Sequence, residues 1–157
     1  MKDLPANAAT GDATPPKPPT GSPALAKSAH PGVTLLVVED DEGVRELEVQ
    51  ILVKSGFRVL QAGCVAEALR TAETPGPLQL LLTDFSLPDG NGLDLARRFR
   101  LLRPQSPIIL VSGSVARLDG KPEGLEHLAI MEKPFQIPAL LSLVRDLLND
   151  AATPGSR

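Results

Sequence analysis

Aromatic residues are nearly missing from the sequence, which has no tryptophan, no tyrosine and four phenylalanines among its 157 residues. Proteins that bind single-stranded nucleic acid without sequence preference stack the bases on aromatic side chains, and this chain has almost none to offer. A basic excess is also missing, since 16 lysines and arginines stand against 19 aspartates and glutamates. The charge that draws proteins to polyanions is absent, so we expect no direct nucleic-acid partner.

Long apolar runs and cysteine pairs are missing too. No run approaches the about 20 apolar residues of a membrane span, and the N-terminus lacks the compact apolar segment of a secretory signal. The single cysteine, Cys64, has no partner for an internal disulfide and no companion at metal-ligand spacing. These absences predict a cytoplasmic protein that does not contact a membrane.

A change in composition divides the chain. The first 32 residues are mainly proline, alanine, threonine, glycine and serine, and they include the run PPKPP at Pro15–Pro19. Such a segment buries too little apolar surface to offset the entropy lost on ordering. We predict a disordered tail over residues 1–32, one folded domain over residues 33–150 and a short frayed tail over residues 151–157.

Five apolar segments in the predicted domain alternate with helical patterns. Several run without polar interruption, which is typical of parallel strands covered on both faces. The segments are Val33–Val38, Phe57–Ala62, Leu78–Thr83, Pro107–Ser112 and Leu128–Met131. This alternation predicts an α/β fold, namely a doubly wound five-stranded parallel sheet with helices on both faces.

Apolar residues at helical spacing indicate the helices between and after these strands. They are Val44, Leu47 and Ile51 in the first helix, Leu93, Ala96 and Phe99 in the third, and Leu140, Leu141, Val144, Leu147 and Leu148 in the last. A short second helix is predicted over Ala66–Glu73. The stretch RLDGKPEG, Arg117–Gly124, has two glycines and a proline where the fourth helix should run, so we expect that helix to be short or irregular.

Polar side chains stand at the ends of the predicted strands. They are Glu39, Asp40 and Asp41 after the first strand, Asp84 after the third, Ser112 at the fourth and Lys133 after the fifth. Because the carboxyl ends of parallel strands share the edge where ligands bind, these groups should meet. There Glu39, Asp40 and Asp84 would repel one another unless a cation such as Mg²⁺ sat among them. Each group alone is explained as a helix cap, a turn brace or a solvated charge, but the set favours phosphoryl transfer.

Four motifs in this order, VVEDD, TDFSLPDGNG, ILVSGS and EKPF, resemble the receiver domain of two-component response regulators. The resemblance extends from Val33 to about Asp150. It implies a flavodoxin-like fold that takes a phosphoryl group from a histidine of a sensor kinase or a histidine phosphotransfer protein, with Mg²⁺ as cofactor. It also implies that phosphorylation shifts the population between inactive and active conformers.

The resemblance implies a role for each motif residue. Asp84 matches the phosphoacceptor. Glu39 and Asp40 match the acidic pair at the metal, with Asp40 a direct ligand and Glu39 acting through water, and the backbone carbonyl of Ser86 would complete the protein's ligands. Asp41 is expected to cap or flank rather than to bind the metal.

Two further residues match groups that bind the phosphoryl oxygens, Ser112 through its hydroxyl and Lys133 through its ammonium, and the Lys-Pro bond is often cis in the family. The chain also departs from the family pattern. The switch position, three residues before the lysine, usually holds an aromatic residue and here holds Ile130. The segment Arg117–Gly124 replaces a helix that many members use to dimerise.

No DNA-binding or catalytic output segment follows the predicted receiver, so we expect a stand-alone receiver that signals to a downstream protein target. It would not be an enzyme beyond assisting its own phosphorylation and dephosphorylation. A phosphatase of the haloacid dehalogenase class needs a second acid where this chain has Ser86. Two alternatives remain: a receiver-like interaction module that works without phosphorylation, and the terminal receiver fragment of a hybrid histidine kinase.

Overall fold

Residues 30–118 and 122–153 are described in the computed structural model, and within them five parallel strands form one sheet. These strands are β1 (Thr34–Val38), β2 (Arg58–Ala62), β3 (Leu80–Asp84), β6 (Ile108–Ser112) and β7 (Leu128–Glu132). Their order across the sheet is β2-β1-β3-β6-β7. A two-stranded antiparallel hairpin, β4 (Ser86–Leu87) and β5 (Gly90–Asn91), follows β3 directly.

Four helices cover the sheet: α1 (Glu42–Lys54), α2 (Val65–Glu73), α3 (Gly92–Leu102) and α4 (Ile137–Ala152). Buried side chains of α2 and α3 join one apolar cluster, and those of α1 and α4 join a second. Strand β1 contributes to both clusters, with Leu36 and Val38 in the first and Leu35 and Val37 in the second. A strand buried on both faces has no room for charge along its length, so charged groups collect at its end. The predicted doubly wound α/β fold is confirmed.

The apolar pattern located the helices but did not always mark the buried face. In α3 and α4 it did, since Ala96, Phe99 and Val144 are all buried. In α1 the predicted stripe faces outward, because Leu47 is 56% exposed, whereas the charged Glu48 is 5% exposed. The charges of the site described below act on that carboxylate.

The connection between β6 and β7 is irregular, as the sequence predicted. Val115–Arg117 form a single 3₁₀ turn, and no helix is found in the described residues 122–127. Residues 119–121 of the predicted irregular segment lie outside the described residues. The buried side chains of Leu118 and Leu125 anchor the two ends of this connection to the cluster under α2 and α3.

The ends of the described chain differ slightly from the predicted domain limits. His30 belongs to the predicted tail, yet its ring stacks on Phe57 with centroids 4.7 Å apart. At the other end α4 continues through Ala152, two residues past the predicted limit. The rest of the two predicted tails, residues 1–29 and 154–157, lies outside the described residues. Among the described helices, none combines the length and apolar character needed to cross a membrane.

Candidate functional site

Three carboxylates meet at the carboxyl edge of the sheet. Strands β1 and β3 are hydrogen-bonded neighbours in which Val38 pairs with Thr83, so the residues that follow these two lie side by side. One carboxylate oxygen from each of Glu39, Asp40 and Asp84 lies within 4.8 Å of the others. Glu39 is buried, Asp84 is partly buried and Asp40 is exposed, so the cluster opens to solvent on the Asp40 side.

Lys133 joins this cluster from the far side of β6. Its Nζ lies 2.9 Å from Glu39 Oε2 and 2.9 Å from Asp84 Oδ1. The backbone N–H of Lys133 donates to the carbonyl oxygen of Ser112 at 2.9 Å, which ties the residue after β7 to the end of β6. The Lys133–Pro134 peptide bond is cis. One ammonium therefore bridges two of the three acids.

The charges of the cluster are not balanced, because three carboxylates face one ammonium. Burial raises the pKa of Glu39, and the hydrogen bonds from Lys133 and the Asp41 N–H offset this only in part. Burial alone would lower the pKa of Lys133, but its hydrogen bonds to Asp84 and Glu39 outweigh burial and raise it. A divalent cation would balance the two surplus negative charges, and a set of carboxylate oxygens is what Mg²⁺ prefers. These residues therefore fit the ion.

Asp41 and Arg45 hold Glu39 in place. Asp41 caps α1, since its Oδ1 accepts the N–H of Val44 at 2.9 Å, and its own N–H donates to Glu39 Oε1 at 3.1 Å. Arg45 Nη1 donates to the carbonyl oxygen of Glu39 at 2.6 Å, and its Nε donates to Gln61 at 3.2 Å. Asp41 therefore caps as the sequence predicted. Arg45 was missed, although an arginine one turn into the helix after an acidic run was the available signal.

The hairpin after Asp84 ties β3 to two helices. The N–H of Ser86 donates to Asp84 Oδ2 at 3.1 Å. Asn91 caps α3 by accepting the N–H groups of its second and third residues. Asp89 instead reaches across to α2 and accepts the N–H groups of Val65 at 2.7 Å and Ala66 at 2.9 Å. No pattern in the sequence predicted this cap.

Ser112 and Ile130 lie on the two strands beyond β3. Ser112 is buried, and its hydroxyl donates to the carbonyl oxygen of Ser114 at 3.1 Å while accepting the N–H of Ser114 at 3.2 Å. The hydroxyl is thus engaged in a local turn rather than with the carboxylate cluster. Ile130 is partly buried and packs against the cluster under α2 and α3.

Glu48 is a fourth acid that responds to this site. It lies on the buried face of α1, and burial raises its pKa to about 7. Burial is the largest contribution to this pKa; the negative charges of Glu39 and Asp84 also raise it, and the charge of Lys133 lowers it. No periodic or motif signal in the sequence predicted a carboxylate inside this helix interface.

Comparison with known proteins gives consistent relatives. The response regulator receiver domain model matches residues 35–145. The response regulator receiver protein CpdR of Brucella abortus strain 2308 is 30% identical over 115 residues, which are 73% of this chain and 95% of that protein. The DNA-binding transcriptional regulator NtrC of Azospirillum brasilense is 32% identical over 124 residues, or 78% of this chain. The chain spans 26% of the length of that regulator.

Solved structures agree with the sequence matches. A response regulator receiver protein from Sinorhizobium medicae WSM419 superposes with a TM-score of 0.68 at 27% identity, covering 77% of this chain and 98% of that one. The receiver domain of the hybrid histidine kinase CckA gives a TM-score of 0.63 at 28% identity, covering 73% and 98%. With the sheet order and the acidic edge, these matches show that the chain belongs to the response regulator receiver domain family of two-component systems.

Proposed function

We propose that Asp84 of this receiver accepts a phosphoryl group from a phosphohistidine of a partner protein. The observation that carries the proposal is the edge cluster, where Lys133 Nζ lies 2.9 Å from Asp84 Oδ1 and two further carboxylates lie within 4.8 Å. Receiver domains work with histidine kinases or phosphotransfer proteins, and a partner of this kind is proposed as the donor. We place this exchange in the cytoplasm, followed by signalling to a protein target.

The metal would be held by Asp40, Asp84, the carbonyl of Ser86 and, through water, Glu39. The contacts of Glu39 support this division of roles. Its Oε2 accepts a hydrogen bond from the ammonium of Lys133, and its Oε1 accepts one from the N–H of Asp41, so both oxygens already have a partner. The carboxylate of Asp40 is exposed and makes no hydrogen bond among the described residues. A bound Mg²⁺ would neutralise charge on the phosphoryl oxygens.

The protein itself supplies the nucleophile for the transfer and one positive charge beside it. A carboxylate oxygen of Asp84 forms the new P–O bond as the P–N bond to the donor histidine breaks, and the bonding electrons return to the imidazole nitrogen. Lys133 already contacts the nucleophile and can follow the negative charge onto the phosphoryl oxygens. The product is an aspartyl phosphate, and the donor leaves as neutral histidine once its nitrogen is protonated.

Phosphorylation would then release Ser112 from its local turn. Its hydroxyl now donates to the carbonyl oxygen of Ser114, and a phosphoryl oxygen on Asp84 would be a stronger acceptor. The movement of this loop would favour the active conformer. Ile130 occupies the switch position, so the readout is proposed to use aliphatic rather than aromatic packing.

The test is intact-protein mass spectrometry after incubation with acetyl phosphate and Mg²⁺. We expect the wild-type chain to gain one phosphoryl group only when Mg²⁺ is present, and we expect Asp84→Asn to gain none. The control is Asp41→Asn, which changes a neighbouring acid that caps α1 and leaves Asp84 intact. It should be phosphorylated like the wild type. A folded wild-type chain that gains no mass would instead favour the interaction module that works without phosphorylation.

A further inference from the structure

Gly92 is the first residue of α3, and it lies directly against the backbone of Asp84. A Cβ built at this glycine would overlap the carbonyl oxygen of Asp84 and would lie 3.0 Å from its carbonyl carbon. The same Cβ would lie 2.7 Å from Leu110 Cδ1. Carbon atoms at optimal separation are about 3.5–4.0 Å apart, so no side chain fits here without movement.

The need for glycine at this position comes from space rather than from backbone conformation. Gly92 is not among the glycines with positive φ in the described chain. Its N–H donates to the carbonyl oxygen of Phe85 at 2.7 Å, so the start of α3 is fastened to the residue after Asp84. A larger residue would therefore push against a backbone segment to which it is also bound.

Two of the three groups at this contact, the start of α3 and Leu110, cannot easily retreat. The start of α3 is held by the cap from Asn91, which accepts the N–H groups of Leu93 and Asp94 at 3.0 and 2.9 Å. Leu110 on the other side is fully buried in β6. The Asp84 peptide lies between them at the last residue of β3, where the strand ends, so it is the group that can shift. Its movement would carry with it the carboxylate, which contacts Lys133. A side chain at residue 92 would thus be accommodated largely by movement of Asp84.

We propose that Gly92 is a positioning residue that sets the place of the Asp84 carboxylate relative to Lys133 and the other acids. The proposal rests on the proposed function of Asp84. The Lys133–Asp84 contact is 2.9 Å, and such hydrogen bonds weaken beyond about 3.2 Å, so small shifts matter. Misplacement of a reacting group by about 1 Å can lower a rate about 100-fold.

The test compares Gly92→Ala with Gly43→Ala. Both glycines lie in the first turn of a helix, but a Cβ at Gly43 would meet only Asp41 Oδ1 at 3.4 Å, an ordinary contact. The initial rate of phosphorylation by acetyl phosphate at saturating Mg²⁺ is measured on the full chain, well below the unfolding temperature of each variant. We expect Gly92→Ala to be at least about tenfold slower than the wild type, and Gly43→Ala to be unchanged.

A second variant separates positioning from packing. Leu110→Val in the Gly92→Ala background removes the Cδ1 atom that the new methyl group would meet, but leaves the contact with the Asp84 carbonyl. We expect the unfolding temperature to recover towards the wild-type value while phosphorylation stays slow. A wild-type rate in either folded variant would overturn the proposal. Failure of both variants to fold would also overturn it, because Gly92 would then be a requirement of folding alone.

The same variants distinguish this proposal from the proposed function. If the wild-type chain takes up no phosphoryl group, the function of Asp84 fails, and the position of its carboxylate is then judged from crystal structures. A longer Lys133 Nζ–Asp84 Oδ1 distance in Gly92→Ala, with no change in Gly43→Ala, would support the positioning role. An unchanged distance would reject it.

Discussion

At the scale of single residues, the site has more carboxylates than positive charges, and a few hydrogen-bond donors hold those carboxylates in place. Glu39 is buried, and its carboxylate is stabilised there by hydrogen bonds from Lys133 and from the N–H of Asp41. Arg45 donates to its backbone carbonyl oxygen. Burying a carboxylate without such partners is costly. Glu48 shows this cost, because its pKa is raised to about 7 mainly by burial.

Glu48→Gln should change how stability depends on pH. The folded state holds the Glu48 proton more tightly than the unfolded chain, whose carboxyl titrates near 4.5. The free energy of unfolding of the wild type therefore falls progressively as pH rises from about 4.5 to about 7, by about 3 kcal/mol in all. Urea unfolding followed by circular dichroism, with metal removed, should show the variant gaining stability over the wild type across this window.

The matched control is Glu46→Gln on the exposed side of the same helix. Because this side chain is exposed, its substitution should leave the free energy of unfolding close to that of the wild type. Equal pH profiles for Glu48→Gln and the wild type would show that the Glu48 carboxylate is solvated rather than buried.

At the scale of secondary-structure elements, the hairpin β4-β5 connects β3 to the helices on one face of the sheet. Helix α2 follows Cys64, whose side chain makes no capping hydrogen bond to the backbone of the helix. Its first N–H groups are instead satisfied by Asp89, which lies 24 residues after Val65 in the chain. The hairpin next to Asp84 is thereby held against α2.

Asp89→Ala should loosen this connection, most visibly at neutral pH. The backbone N–H groups of Ala66 and Val65 lower the pKa of Asp89, so its stabilising effect is present above the unfolded value near 3.8 and is lost as pH falls through the lower folded value. Thermal unfolding should show a lower transition temperature for the variant at pH 7. The difference in transition temperature between the variant and the wild type should become smaller in strong acid.

Asp94→Ala is a suitable comparison for Asp89→Ala, because Asp94 is also exposed and near a helix start. Among the described residues its carboxylate contacts only Asn91 and Arg97, which are close to it in sequence. Its effect on the transition temperature should be smaller. A larger effect for Asp94→Ala would mean that the cap of α2 by Asp89 contributes little to holding the hairpin.

At the scale of the whole molecule, the sheet and its two apolar clusters form the folded unit. Within the described residues, the first contacts begin at His30, whose ring stacks on Phe57, and the last helix ends at Ala152. The matched relatives range from CpdR, which the chain covers almost completely, to regulators of which it spans about a quarter. The residues matched by the family model, 35–145, lie within the described residues 30–153.

A chain of residues 30–153 should behave like the full sequence. We expect its unfolding temperature to stay within about 2 °C of the full chain and its phosphorylation by acetyl phosphate to be retained. The comparison is a chain starting at Leu36, which lacks the first two of the five residues of β1, the strand paired with both β2 and β3. That chain should not fold. A large loss of stability in the 30–153 chain would place required contacts in the removed tails.

Much of the fold was predictable because it depends on local patterns. Uninterrupted apolar runs indicated strands covered on both faces, and the glycines and proline of Arg117–Gly124 indicated an irregular connection between β6 and β7. The acidic residues at the strand ends followed from the same logic, since a parallel sheet brings its carboxyl ends to one edge. Local sequence was less informative about α1, where the apolar stripe with Leu47 faces outward and Glu48 faces inward.

Other features depend on distances between residues far apart in the chain. The reach of Lys133 to Glu39, the cap of α2 by Asp89 and the contact of Gly92 with Asp84 join different elements. No residue pattern encodes such a distance, because it results from how strands and helices pack. Strand identity, strand-end chemistry and family followed from the order of residues along the chain. Which acid is capped, bridged or buried followed from packing, because hydrogen bonding and desolvation act through space.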